Sequence, residues 1–187
     1  MKKQKNLVNV EDYGFEVNNK YREDWARSGQ ILVRKEVAKA LVKVREELPE
    51  GYNLEIHDGK RTKEDQRRII KICEEDFKNR FPDSWNERLK KFTGGYESIE
   101  KDLPPDTHRH GGAVDLTIID ENGERLNMGG RKYNETSNLG YYENKSDLSK
   151  EEKGIRDNRR LLKRAMKKAG FKPNPEEWNH WGYPSTT

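Results

Sequence analysis

Two histidines, an aspartate and a glutamate carry the chemistry open to this chain: His108, Asp115, His180 and Glu177. A tetrahedral zinc centre built for hydrolysis takes three protein ligands of the His/His/carboxylate kind and keeps its fourth position for water. A carboxylate beside it then takes the water's proton. His108 and Asp115 lie in Asp106-Thr-His-Arg-His-Gly-Gly-Ala-Val-Asp115. Fully extended, that stretch would hold the two residues more than about 20 Å apart, so a bend at Gly111-Gly112 is needed before both can reach one ion. In the β-rich run that follows, Ala113, Asp115, Thr117 and Ile119 share one face of a strand, and an acid inside so apolar a strand demands a partner. With His180 on the metal, Glu177 stands outside the coordination shell and holds the water. On residue type alone His110 points the same way as His108 in an extended segment, so either could ligate. Glu176 likewise sits beside Glu177. Two histidines and an aspartate also suit the open facial site of a non-haem Fe(II) oxygenase, a class that does not require Glu177.

The spacing His108-x-x-Gly111-x-Ala113-x-Asp115, followed by Glu177-x-x-His180, resembles the zinc D-alanyl-D-alanine dipeptidases of the vancomycin-resistance (VanX) type, with their related D,D-carboxypeptidases and cell-wall endopeptidases. Asn158–Phe171 looks like the helix that precedes the Glu-x-x-His strand in those enzymes. Asp58-Gly-Lys-Arg61 with Gln66 resembles their Asp-Gly-Tyr-Arg segment, and Lys20-Tyr21 matches more weakly a tyrosine near the substrate amine. The resemblance runs over roughly residues 20–183, with the motifs in family order.

The resemblance implies a Hedgehog/DD-peptidase-like fold, with a central, mostly antiparallel sheet flanked by helices. It selects His108 over His110 and Glu177 over Glu176, and it implies Zn2+ held by His108, Asp115 and His180. Glu177 is then the general base, and Arg61 polarises the scissile carbonyl of a D-Ala-D-Ala-type dipeptide or a peptidoglycan stem peptide. Two departures bear on the substrate. Asp106 stands where the family has serine, and after Met128-Gly129 the family's Phe-Asp is replaced by Arg131-Lys132-Tyr133-Asn134-Glu135. The family's acid grips the substrate ammonium, so Asp106 or Glu135 is expected to supply that charge, with Tyr21 nearby. The same machinery serves a D,D-carboxypeptidase or an L-alanyl-D-glutamate endopeptidase. A non-catalytic peptidoglycan- or nucleic-acid-binding module is the alternative of another class.

The surrounding elements read as a single α+β domain over the 187 residues, with residues 1–19 as a loosely ordered N-terminal segment. Only 30% of residues are hydrophobic and 39% are charged, yet the apolar ones are periodic, which argues for a folded chain. Val33, Val37, Leu41, Val44 and Leu48 form one helical stripe, and Asn53–His57 alternates as a strand that delivers Asp58 and Arg61 to a loop. Thr62 with Asp65, Ser84 with Glu87 and Ser149 with Glu152 each predict a capped helix start. The polar loop 129–149 is a candidate substrate rim.

The net charge of +4 comes from cations interleaved with acids, a solvated helix surface rather than a nucleic-acid footprint. One cysteine, Cys73, excludes an internal disulfide and reads as a buried thiol. The first residues lack a signal-peptide core, and no stretch reaches the roughly 20 apolar residues of a membrane span. A cytoplasmic protein with no membrane or nucleic-acid partner is the expectation, its oligomeric state left open.

Overall fold

The computed structural model describes residues 6–18, 29–130 and 133–185. Residues 6–18, expected to be loosely ordered, are instead part of the fold. β1 (Leu7–Asn9) and β2 (Glu16–Val17) flank a 3-10 turn, and Val10 and Phe15 between them are buried. Strands of two and three residues leave no alternation to read, and their order comes from distant partners. β1 pairs antiparallel with β3 (Leu32–Arg34). Val33, read as the start of a helical stripe, therefore lies in β3, and helix α1 (Lys35–Glu46) begins after it with Val37, Leu41 and Val44 fully buried. β2 runs parallel to β4 (Asn53–Asp58).

Local caps behave as their chemistry dictates in two of three cases. Thr62 and Asp65 form a reciprocal capping box at the start of α2 (Lys63–Arg80). Ser84 makes no such bond at α3 (Trp85–Thr93); its hydroxyl instead accepts from Arg88 Nε at 3.1 Å. Gly94, in the left-handed region, ends α3. Downstream of β5 (Ala113–Ile119), Ser149 and Glu152 box the start of α4 (Lys150–Lys168). β6 (Lys172–Asn174) and β7 (Glu177–Gly182) close the chain.

The five-stranded sheet has the order β2-β4-β5-β7-β6, and every pair in it except β2 with β4 is antiparallel. Val37, Leu41 and Val44 of α1 and Leu162 and Met166 of α4 share one core with Leu54, Ile56, Val114, Leu116, Ile118 and Trp181 of the strands. α2 and α3 enclose a second apolar cluster of Ile69, Ile70, Cys73, Phe77, Leu89 and Ile99, against which Phe92 and Tyr133 pack. Among the described residues, no helix is long and apolar enough to cross a membrane.

Two breaks in register decide which side chains leave the core. Ile56 pairs with Leu116, but Asp58 pairs with Asp115, so β4 spends two residues where β5 spends one. Cross-strand partners share a face; this bulge therefore turns Asp58 away from the side that Ile56 occupies and onto that of Asp115. Asp115 in turn pairs with His180. On the other edge Pro173 pairs with Trp181 and Asn174 with Glu177, one step along β6 against four along β7. Residues three apart in a regular strand face opposite sides, and this irregularity lets Glu177 and His180 open onto the same cleft.

The turn before β5 is tightly enclosed. Gly111 adopts φ +67°, and its carbonyl accepts from Arg34 N at 2.9 Å. Arg34 is fully buried and donates from its guanidinium to the Tyr183 carbonyl at 2.6 Å, tying β3 to the end of β7. A Cβ on Gly112 would stand 2.0 Å from the Pro105 carbonyl oxygen and 2.9 Å from the Arg34 guanidinium. Gly112→Ala is therefore expected to destabilise the protein by on the order of 3 kcal/mol, seen as a lower urea midpoint. An unchanged midpoint would show that the turn can yield.

Candidate active site

His108 lies in a 3-10 turn, His108–His110, that its own backbone ties to the neighbouring strand end: its carbonyl accepts from Arg61 N at 2.9 Å and from Gly111 N at 3.1 Å. The ring is buried, 6% exposed, and Nδ1 stands 2.7 Å from the Gly59 carbonyl oxygen. Only a protonated Nδ1 can donate there, which leaves Nε2 with a bare lone pair. Burial, followed by the Arg61 charge, holds the His108 pKa below the ordinary histidine value, so the ring stays neutral and able to ligate.

Nε2 of His108, Nδ1 of His180 and Oδ1 of Asp115 converge, with separations of 3.2 Å between the histidines, 3.0 Å from His180 to Asp115 and 3.4 Å from His108 to Asp115. Ligands at about 2.0–2.1 Å around a tetrahedral centre lie roughly 3.3–3.4 Å apart. The three atoms therefore already stand close to the spacing that one small divalent ion imposes. His108, Asp115 and His180 form a group able to hold a metal ion. Two imidazoles and one carboxylate are a donor set that first-row divalent metals accept.

Asp115 is fully buried, and its second oxygen accepts from Arg61 Nη2 at 3.3 Å. Arg61, 8% exposed, also donates through Nε to Asp58 at 2.7 Å and through Nη1 to Gln66 at 3.3 Å. The β4 bulge thus brings Asp58 to the same guanidinium that bonds Asp115. Glu177, 5% exposed, opens onto the same cleft, with Asn174 Nδ2 3.4 Å from its Oε2.

The cleft has a volume of about 220 Å³, enough for a small peptide group, and brings together Arg61, His108, Asp115, Glu177 and His180. Other residues expected at the site lie elsewhere. Asp106 is half-buried off the cleft lining, where its backbone carbonyl crowds Gly182. Glu135 is exposed in the 3-10 turn Glu135–Ser137 and does not line the cleft. Tyr21 lies outside the described residues. His110 is half-buried and away from the lining, and His57 pairs with Glu55 at 2.7 Å.

Sequence reasoning missed Cys73, Phe92, Arg109 and Tyr133, which also line the cleft. Among the described residues of the loop 129–149, Tyr133 alone lines the cleft. Tyr133 has φ +55°, packs edge-on against Phe77 and Phe92, and is fixed by Arg88 Nη1 on its carbonyl at 2.7 Å. A bulky residue held in the left-handed region is strained, and the aromatic packing offsets that cost. Behind the loop, Arg159 of α4 donates to the carbonyls of Met128, Thr136 and Asn138 at 2.7–2.9 Å and stacks on Tyr142 and Trp178. Burial lowers its pKa to about 10, so it remains charged at neutral pH.

A family model described as D-Ala-D-Ala dipeptidase matches residues 11–187. A D-alanyl-D-alanine dipeptidase of Synechocystis sp. is 34% identical over 85 residues, 42% of this chain and 34% of that protein, so the match spans about a third of the relative's length. Because the matched span of the family model takes in the metal turn, β5 and the Glu-x-x-His strand alike, the chain belongs to the D-Ala-D-Ala dipeptidase family.

Proposed function

We propose that the protein is a zinc-dependent dipeptidase that hydrolyses D-Ala-D-Ala-type dipeptides. The observation that carries the reading is the convergence of His108 Nε2, Asp115 Oδ1 and His180 Nδ1 at 3.0–3.4 Å in the cleft that also holds Glu177. Family membership supports a peptidase. When bound, zinc supplies Lewis acidity, polarising a carbonyl and lowering the pKa of water toward about 7.

The chain's own residues do the rest. His108, kept in one tautomer by the Gly59 carbonyl, and His180 and Asp115 hold the ion. Glu177 accepts the proton of the attacking water and returns it to the leaving amine. Arg61, pre-oriented by Asp58 and Asp115, stabilises negative charge on the carbonyl oxygen. Its guanidinium costs no reorganisation during the reaction because Asp58, Asp115 and Gln66 already fix it. Phe92 and Tyr133 give the cleft that holds the reacting groups an apolar lining.

Release of D-alanine from D-Ala-D-Ala, with a muropeptide ending in D-Ala-D-Ala in parallel, tests the reading. The zinc-loaded protein is expected to cleave the free dipeptide, and Glu177→Gln to lose that activity. Cleavage of the muropeptide alone would assign a wall peptidase, and an active Glu177→Gln variant would remove Glu177 from the reaction. Arg61→Ala would leave Asp58 and Asp115 buried without their cation, so Arg61→Lys is the cleaner probe. A lysine keeps the charge but not the planar fork, and kcat is expected to fall about 10²-fold. A wild-type kcat would take the oxyanion role away from Arg61.

A further inference from the structure

Among the described residues, three cationic side chains besides the histidines line the cleft: Arg61, Lys91 and Arg109. Two are already committed to acids. Arg61 is bonded to Asp58 at 2.7 Å and Asp115 at 3.3 Å, and Lys91 to Glu176 at 2.6 Å. Arg109 donates from Nη2 to the Ile99 carbonyl at 2.9 Å, and among the described residues no carboxylate comes within ion-pair distance of it. Glu100 feels its charge, but that acid is already bonded to Lys63 and Arg67. Among the described residues, the carboxylates of the lining are Asp115 and Glu177, which take the metal and base positions in the proposed reading. A half-buried guanidinium anchored at one nitrogen by a neutral carbonyl keeps the rest of its fork of donors for an incoming acid.

Its position says which acid. Arg109 follows the metal ligand His108 in the same 3-10 turn, so its base stands next to the metal group. In a peptide that ends one residue beyond the scissile bond, the terminal carboxylate lies about one Cα spacing, ~3.8 Å, past the reacting carbonyl. An arginine rooted beside the ligand is placed to span that short step. We propose that Arg109 recognises the C-terminal carboxylate of the substrate, making the cleft selective for peptides that end immediately after the cleaved bond. The proposal rests on the peptidase reading and adds direction to it: the residue on the Arg109 side leaves as a free amino acid.

The test compares D-Ala-D-Ala with its C-terminal amide on wild type, Arg109→Gln and Arg109→Lys. Binding of both peptides to zinc-loaded Glu177→Gln protein, with and without Arg109→Gln, is measured by calorimetry. Wild type is expected to have a KM about 10–100-fold lower for the acid than for the amide, the worth of one charge-assisted pair. Arg109→Gln should bring that ratio to about 1, and Arg109→Lys should keep part of it. The calorimetric preference for the acid should collapse in the same way. Equal KM values for acid and amide in wild type, or a ratio that survives Arg109→Gln, would overturn the proposal. If neither peptide is hydrolysed but the acid binds preferentially and loses that preference in Arg109→Gln, the carboxylate site stands and the dipeptidase reading falls. If neither peptide binds, the carboxylate site falls too.

Discussion

A carboxylate with no exposure, Asp115 in the middle of the sheet's central strand, is the constraint around which the other parts are arranged. A buried anion costs several kcal/mol unless it is paired and hydrogen-bonded. Here one oxygen faces His108 and His180 and the other accepts from Arg61. The arginine would itself be costly in that setting without Asp58 and Gln66. The result is a chain of mutual dependence running from β4 through the guanidinium to β5 and then to β7, so the groups able to bind metal and the sheet that carries them share one set of interactions.

The backbone is irregular where that chain requires it. A regular β4 would leave Asp58 on the side of Ile56, in the core, and a regular β7 would send Glu177 and His180 to opposite faces. Each bulge places one acid, and neither leaves a sign in composition or hydropathy. The enclosed turn at Gly111 and Gly112 plays a similar part for His108, with Arg34 fastening it to β3 and to the end of β7.

Much of the centre was legible in the sequence because metal chemistry restricts residue types so strongly. Residue type marked the histidines and acids as candidates, the resemblance to the family selected His108 over His110 and Glu177 over Glu176, and the cleft brings His108, Asp115, His180 and Glu177 together with Arg61. The caps at Thr62 and Ser149 were legible because their bonds span only three residues. Val33 misled because its apolar spacing suits a helix while its partner Val8 lies far away in sequence. Asp106 and Glu135 were inferred from their charge and from their places near the family's serine and Phe-Asp segments, neither of which reports direction: one packs its backbone beneath Gly182 and the other faces solvent. Tyr133 and Phe92 reach the cleft through the aromatic cluster of α2 and α3, and Arg159 holds the loop from behind. Those are long-range contacts that no local pattern encodes.

The most direct test of the account is the zinc content of the purified protein after dialysis, measured by plasma mass spectrometry beside the Asp115→Asn variant. The account predicts one zinc per chain in the wild type and loss of most of it when the carboxylate becomes an amide, since a neutral amide is a poor zinc ligand. A wild-type protein that retains no zinc, or an Asp115→Asn protein that retains it undiminished, would contradict the assignment of His108, Asp115 and His180 as the metal centre.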